Sequence, residues 1–124
     1  MLEIRSLSVS YGMHRALAGV SAEVHKGEIV VILGANGAGK TTLLRAAGGI
    51  SEGAVTGEVL LDGRAISSLG PDRIVEAGLA LVPEGRCVFG DLTVRENMIL
   101  GACSARAQWG REAASCPFSQ WGAA

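Results

Sequence analysis

Residues 34–41 read Gly34-Ala35-Asn36-Gly37-Ala38-Gly39-Lys40-Thr41, which satisfies the spacing G-x-x-x-x-G-K-[ST]. The chemistry of such an octet is anion binding by backbone. Gly34, Gly37 and Gly39 are expected to take positive φ angles and curl the chain, so that successive N–H groups turn inward as a nest at the head of a helix. Phosphate oxygens fill a nest of this kind, with the backbone of Asn36 and Ala38 completing it. The Lys40 ammonium then reaches the β- and γ-phosphates as a point charge. The Thr41 hydroxyl ligates the Mg²⁺ that bridges them, and Thr42 adds a contact to the α-phosphate. The expected ligand is a nucleoside triphosphate with its magnesium. By composition alone the pattern arises in roughly one chain in a few hundred of this length. Lys26 and Lys40 are the only lysines, and one of them falls at the required place.

The loop needs elements to aim it. Ile29, Val30, Val31, Ile32 and Leu33 form an apolar run before the octet, and Thr42-Leu43-Leu44-Arg45-Ala46-Ala47 follows it, which predicts a buried strand, the loop and a helix in succession. Upstream, Leu2, Ile4, Leu7 and Val9 roughly alternate and Tyr11-Gly12 closes the pattern. It resumes over residues 16–24 before a turn at Lys26-Gly27, which predicts an antiparallel hairpin. Gly48-Gly49 ends the helix, and residues 57–61 run into Asp62-Gly63, predicting a second short strand pair. Pro71 suits the first turn of a helix over residues 72–77 closed by Gly78, and residues 79–82 read as a buried strand stopped by Pro83. Thr93 with Glu96 three residues on predicts a capped helix over residues 93–100. The expected fold is α/β of the P-loop type: a partly parallel sheet with an antiparallel β subdomain on its N-terminal side.

Composition narrows the function classes. The 124 residues are 48% apolar with a net charge of −1, enough for one small domain or part of a larger one. No Lys/Arg run occurs, so there is no electrostatic case for a nucleic-acid partner or for direct adhesion to anionic lipid. The longest apolar run is five residues, far short of a membrane span, and Met1 leads into strand-like alternation rather than a signal peptide. The expected place is the cytoplasm. Cys87, Cys103 and Cys116 make no C-x-x-C pair and read as free thiols. His14 and His25 read as surface or turn residues. Beyond residue 101 the character changes. Three of the five aromatic residues (Trp109, Phe118, Trp121) and two of the three cysteines lie there, and neither helical nor strand periodicity continues. The expected division is residues 1–101 and a divergent tail, 102–124.

These residues together resemble the nucleotide-binding subunit of ATP-binding cassette (ABC) transporters, over residues 1–101. The wording Leu81-Val82-Pro83-Glu84-Gly85-Arg86 through Thr93-Val94-Arg95-Glu96-Asn97 is similar to the subgroup that energises import of branched-chain amino acids. Most of the family has glutamine where Glu84 stands. The resemblance implies ATP and Mg²⁺ as ligands. It implies Tyr11 as the aromatic that stacks on adenine, and Glu84 as the residue that senses the γ-phosphate through Mg²⁺ or its water. Residues 85–97 would lie near the surface where a permease's cytoplasmic helix docks. The implied partners are membrane permease subunits, a second ABC ATPase subunit as homo- or heterodimer, and indirectly an extracytoplasmic solute-binding protein. The implied place is the cytoplasmic face of the cell membrane.

Parts of the family's pattern are absent from this sequence. No strand ends in hydrophobic-Asp-Glu: the look-alike Val59-Leu60-Leu61-Asp62 is followed by Gly63, and Asp62-Gly63 suits a hairpin turn. No Leu-Ser-Gly-Gly-Gln segment occurs, and Ala46-Ala47-Gly48-Gly49-Ile50 lacks its serine. Both histidines precede the phosphate loop, whereas the family's switch histidine follows it. The catalytic set is therefore incomplete, with Lys40 and Glu84 in supporting roles, and hydrolysis by this chain alone is not expected. The departures imply a truncated or frameshifted ABC ATPase, or in the other reading a non-catalytic nucleotide-binding module. A small P-loop kinase would need an arginine-rich lid after the core, and none is visible.

Overall fold

The computed structural model describes residues 1–85 and 88–101. The chain divides between Leu81 and Val82 into two compact units.

The first unit is built on a four-stranded antiparallel sheet. Strand β1 (Leu2–Tyr11) pairs with β2 (His14–Val24) on one side and with β3 (Ala54–Leu61) on the other, and β4 (Arg64–Ala65) adds to β3, giving the order β2-β1-β3-β4. The expected hairpin is β1–β2, with Tyr11 opposite His14 at its tip. The expected turn at Asp62-Gly63 joins β3 to β4, and both residues have positive φ, 49° and 77°, as a two-residue turn matched to strand twist requires. Asp62 also receives the Met1 ammonium, so this carboxylate ties the start of β1 to the turn between β3 and β4.

A bulge decides which side chains reach the core. Ile4 and Leu7 are three residues apart, so a regular strand would send them to opposite faces. The β1–β3 register instead slips between Arg5 and Ser8, where Ser6 takes φ 47° and Gly57 φ 102°. A Cβ on Gly57 would lie 2.6 Å from the Ser6 carbonyl oxygen, so only glycine admits this approach. The extra residue brings Ile4, Leu7 and Val9 into one core with Leu17 and Val59.

Two helices cover this core. Helix α1 (Lys40–Ala47) buries Leu43, Ala46 and Ala47 and ends at Gly48. Helix α2 (Pro71–Ala77) starts on its proline, buries Ile74 and ends at Gly78 with φ 115°. Gly49 has φ +71°, and a Cβ on it would fall 2.5 Å from Ile74 Cδ1.

Two expected strands do not form. Residues 29–33 and 79–82 have no ladder partner among the described residues, where the sheet is wholly antiparallel. Val82 is exposed, and so are all five side chains of residues 29–33. The reason is the nature of a parallel strand: its hydrogen bonds and the cover on both its faces come from other segments. Here one apolar cleft of about 380 Å³ separates Val30 and Ile32 from Leu79 and Leu81.

The described part of the second unit is a bend at Glu84 and Gly85, then residues 88–93 leading to helix α3 (Val94–Gly101). The capping box is formed in full. Glu96 N donates to Thr93 Oγ1 at 3.3 Å, and Thr93 N and Oγ1 donate to Glu96 Oε2 at 2.8 and 2.7 Å. Cys87, Cys103, Cys116 and the tail 102–124 lie outside the described residues.

Candidate nucleotide site

The octet forms a turn that delivers the chain into α1. Gly37 and Gly39 take φ 84° and 88°, and Gly39 is the N-cap of the helix in the left-handed region. The expectation of positive φ at Gly34 is corrected, since Gly34 is not among the positive-φ residues. It is needed for space: a Cβ there would lie 3.3 Å from Ala38 Cβ and 3.9 Å from Lys40 Cδ. The loop is closed by Ala38 N donating to Ala35 O at 3.2 Å, and Leu43 N donates to Gly39 O at 2.9 Å to start the helix.

Two further contacts hold the loop, and neither was legible in the sequence. Lys40 Nζ donates to the carbonyl oxygens of Gly34 and Ala35, both at 2.7 Å. The ammonium is thus tied across the mouth of its own turn. Gly39 presses on strand β2, where a Cβ would meet Leu17 Cδ2 at 2.7 Å and Ala16 O at 3.0 Å. The hairpin therefore sets the position of the loop.

The electrostatics favour an anion. The first turn of α1 carries no acidic residue, so the positive end of the helix dipole is not neutralised and Lys40 adds a full charge. Thr41 begins the same turn with its side chain exposed, and Thr42 is half-buried beside it. Among the described residues no group of three or more His, Cys, Asp or Glu could hold a metal ion. A single hydroxyl at the head of α1 fits a magnesium ion that arrives with phosphates and keeps several of its waters.

Tyr11 ends β1 on the hairpin that touches Gly39. It stands two residues beyond Val9, the partner of Leu17, or about 7 Å further along the strand. Its ring is part-exposed and lies beside the backbone at Gly53, where a Cβ would be 3.1 Å from Tyr11 Cε1. Tyr11 and the loop thus belong to one unit. Glu84 belongs to the second unit, exposed in the bend before Gly85, whose φ is 88°.

Within the second unit Asn97 is the organising side chain. Its Oδ1 accepts from Phe89 N at 2.9 Å, and its Nδ2 donates to the carbonyls of Phe89, Leu92 and Thr93 at 3.0–3.2 Å. The capping box announces the helix start in sequence, but no spacing rule announces that Asn97 reaches back eight residues. Val88, Phe89 and Val94 are left exposed around this clamp.

A glycine turn feeding a helix head, with a lysine at its mouth, defines the P-loop nucleotide-binding class. Residues 17–120 match the family described as ABC transporter, and the chain belongs to that family. It is 46% identical over 101 residues to the high-affinity branched-chain amino acid transport ATP-binding protein BraG of Pseudomonas aeruginosa, covering 82% of this chain and 43% of that protein. It is 44% identical over 101 residues to the ribose import ATP-binding protein RbsA 2 of Burkholderia pseudomallei, covering 82% of this chain and 20% of that protein. The ribose import ATP-binding protein RbsA of Yersinia pestis is 41% identical over 105 residues, with the same two shares. The chain therefore spans between one fifth and just over two fifths of the length of these relatives. No helix among the described residues is long and apolar enough to cross a membrane.

Proposed function

We propose that the chain binds MgATP on residues 34–42 as part of an importer's ATP-binding subunit, with branched-chain amino acids as the cargo class. The observation that carries nucleotide binding is the loop itself: two left-handed glycines, a helix head without acid, and Lys40 held at the mouth by two carbonyls. Gly34, Asn36, Gly37, Ala38 and Gly39 present backbone to the phosphates. Lys40 exchanges its two carbonyl partners for phosphate oxygens, and Thr41 supplies a hydroxyl to the magnesium, with Thr42 beside it. Tyr11 stacks on the base, a contact of order 1 kcal/mol with little base selectivity. Bound Mg²⁺ spreads the charge that develops on the phosphates during transfer.

The cargo assignment rests on the wording around Glu84 and on likeness to BraG, and likeness to ribose importers is of the same order. Glu84 would sense the γ-phosphate through Mg²⁺ or its water. The exposed Val88, Phe89 and Val94, braced by Asn97, suit the docking of a permease's cytoplasmic helix. A second ABC ATPase subunit would supply the signature segment, and an extracytoplasmic solute-binding protein would deliver the cargo. Such a chain works at the cytoplasmic face of the membrane. In the proposed division, residues 1–101 carry this partial domain and 102–124 form a separate tail.

The second reading is a nucleotide-binding module without turnover. One experiment separates the two. The purified chain is titrated with a fluorescent ATP analogue and assayed for phosphate release, beside Lys40→Ala. Losing a charge-assisted contact worth about 1.5–3 kcal/mol should weaken binding by roughly 10- to 150-fold. Equal affinity in the two proteins would refute the nucleotide site. Turnover abolished by the substitution would refute the module, and binding without turnover would support it.

A further inference from the structure

The chain has two asparagines, Asn36 and Asn97. Asn97 is half-buried in α3 and engages its whole amide with the backbone of Phe89, Leu92 and Thr93. Asn36 is exposed in the phosphate loop and is followed by glycine. The turn closed by Ala38 N and Ala35 O sets Asn36 and Gly37 at its two central positions. Gly37 has φ 84°, and the space where a Cβ would stand is empty to 4 Å. Among the described residues no hydrogen bond engages the Gly37 N–H or the Asn36 side chain.

That combination is reactive. A backbone nitrogen that follows asparagine can attack the side-chain amide carbon, and glycine, with no Cβ, shields its own nitrogen least. In this step the bond between Gly37 N and Asn36 Cγ forms, and the bond from Asn36 Cγ to Nδ2 breaks. The amide nitrogen leaves as ammonia and carries off the hydrogen of Gly37 N, so nothing is oxidised or reduced. Water then opens the resulting succinimide at either carbonyl. Opening at Cγ leaves an aspartate, and opening at the main-chain carbonyl leaves an isoaspartate, whose main chain runs through the side-chain carbons. Both products carry a new carboxylate. A nest for phosphate must keep its N–H groups unpaired and its mouth open until ligand arrives, so the task of the loop itself leaves Asn36 and Gly37 open to this chemistry.

We propose that Asn36-Gly37 is a site of spontaneous deamidation and that its conversion disables the phosphate loop. The second half rests on the nucleotide reading above. The new carboxylate stands beside Ala35, whose carbonyl holds Lys40 Nζ at 2.7 Å. It offers the ammonium an anionic partner within the chain and repels the triphosphate. An isoaspartate also lengthens the main chain of the nest by a methylene and moves its N–H groups off the phosphate positions. Bound MgATP protects the site, because a Gly37 N–H that donates to phosphate is held away from Asn36 Cγ. The empty loop ages and the loaded loop does not.

The test ages the full chain in mildly alkaline buffer with and without saturating MgATP. Peptide mapping by mass spectrometry reads replacement of the amide NH₂ by OH at each asparagine, and enzymatic methylation of isoaspartate identifies the product. Without nucleotide, Asn36 should lose its amide while Asn97 keeps its own, and Asn36→Gln should resist because glutamine would have to close a larger ring. An intact Asn36, or equal loss at Asn36 and Asn97, would overturn the site. With MgATP the loss at Asn36 should slow, and an unchanged rate on a chain that binds ATP would overturn the protection. ATP affinity is then measured for the fresh chain, the aged chain and Asn36→Asp. The last two should bind about tenfold or more weakly than the first. Equal affinity in all three would overturn the switch. A fresh chain that binds no ATP would remove the nucleotide reading and the switch with it, while conversion in the nucleotide-free arm would still establish the modification.

Discussion

Gly37 and Gly39 have nearly the same backbone conformation and different surroundings. A Cβ on Gly37 would meet nothing within 4 Å, whereas one on Gly39 would strike Leu17 and the Ala16 carbonyl. Gly37→Ala should therefore cost about 1–2 kcal/mol from conformation alone. Gly39→Ala adds a clash and should cost about 1–2 kcal/mol more. Thermal melts of the two variants measure the gap, and equal melting temperatures would mean that the hairpin does not seat the loop. Glu96 makes a second residue-scale prediction. Its hydrogen bonds with the Thr93 hydroxyl and amide hold its carboxyl below the ordinary glutamate value of 4.5. A depressed folded pKa gives stability that is complete above the unfolded value and is lost as pH falls through the folded one. The cap on α3 should hold at neutral pH and fail only in acid below the ordinary glutamate range. An NMR titration of the Glu96 side chain and of the Thr93 amide reads this directly. A Glu96 midpoint at or above 4.5 would contradict it.

At the scale of elements, the two units should respond differently to loss of one side chain. Leu43 is buried where α1 meets the sheet, and Leu43→Ala should remove about 2–5 kcal/mol from the first unit. Asn97 is half-buried and belongs to the second unit, so Asn97→Ala should loosen residues 89–93 and leave the first unit's stability unchanged. Hydrogen exchange at the Phe89 amide, which donates to Asn97, should accelerate while the amides of β1 keep their protection. Slow exchange at Phe89 in the variant would show that the clamp is not what orders this turn. How much of each element was legible depends on where its hydrogen bonds close. The hairpin, the helix stops at Gly48 and Gly78, the proline start of α2 and the capping box of α3 close locally, and all appear as the spacing predicts. The bulge at Ser6 was visible only as an imperfect alternation from Ile4 to Leu7. Its position depends on Gly57, some fifty residues away.

For the whole molecule, ligand binding and folding are linked. If the loop binds MgATP, ligand at about one hundred times its dissociation constant should stabilise the chain by roughly 2.7 kcal/mol. Lys40→Ala should abolish that shift while leaving the unliganded melting temperature nearly unchanged, since its two bonds lie at an exposed turn. A melting temperature that ignores ATP would refute binding to the folded state. Many large apolar side chains among the described residues, Ile29, Val31, Leu33 and Val82 among them, remain exposed. Val30, Val31 and Ile32 line the cleft, while Ile29 and Leu33 stand largely in solvent.

The sequence by itself determined the octet, its helix, the hairpin, the caps and the family, because each rests on residues a few positions apart or on their identities alone. It also marked residues 29–33 and 79–82 as strand-forming material. Only the tertiary structure decided that they are not strands among the described residues, that Lys40 turns back onto Gly34 and Ala35, and that Gly39 is gripped by Leu17. The physical reason is common to all three. A helix cap or a tight turn satisfies its own backbone, whereas a sheet strand or a packed loop takes its partners from distant chain, and those partners are a property of the fold.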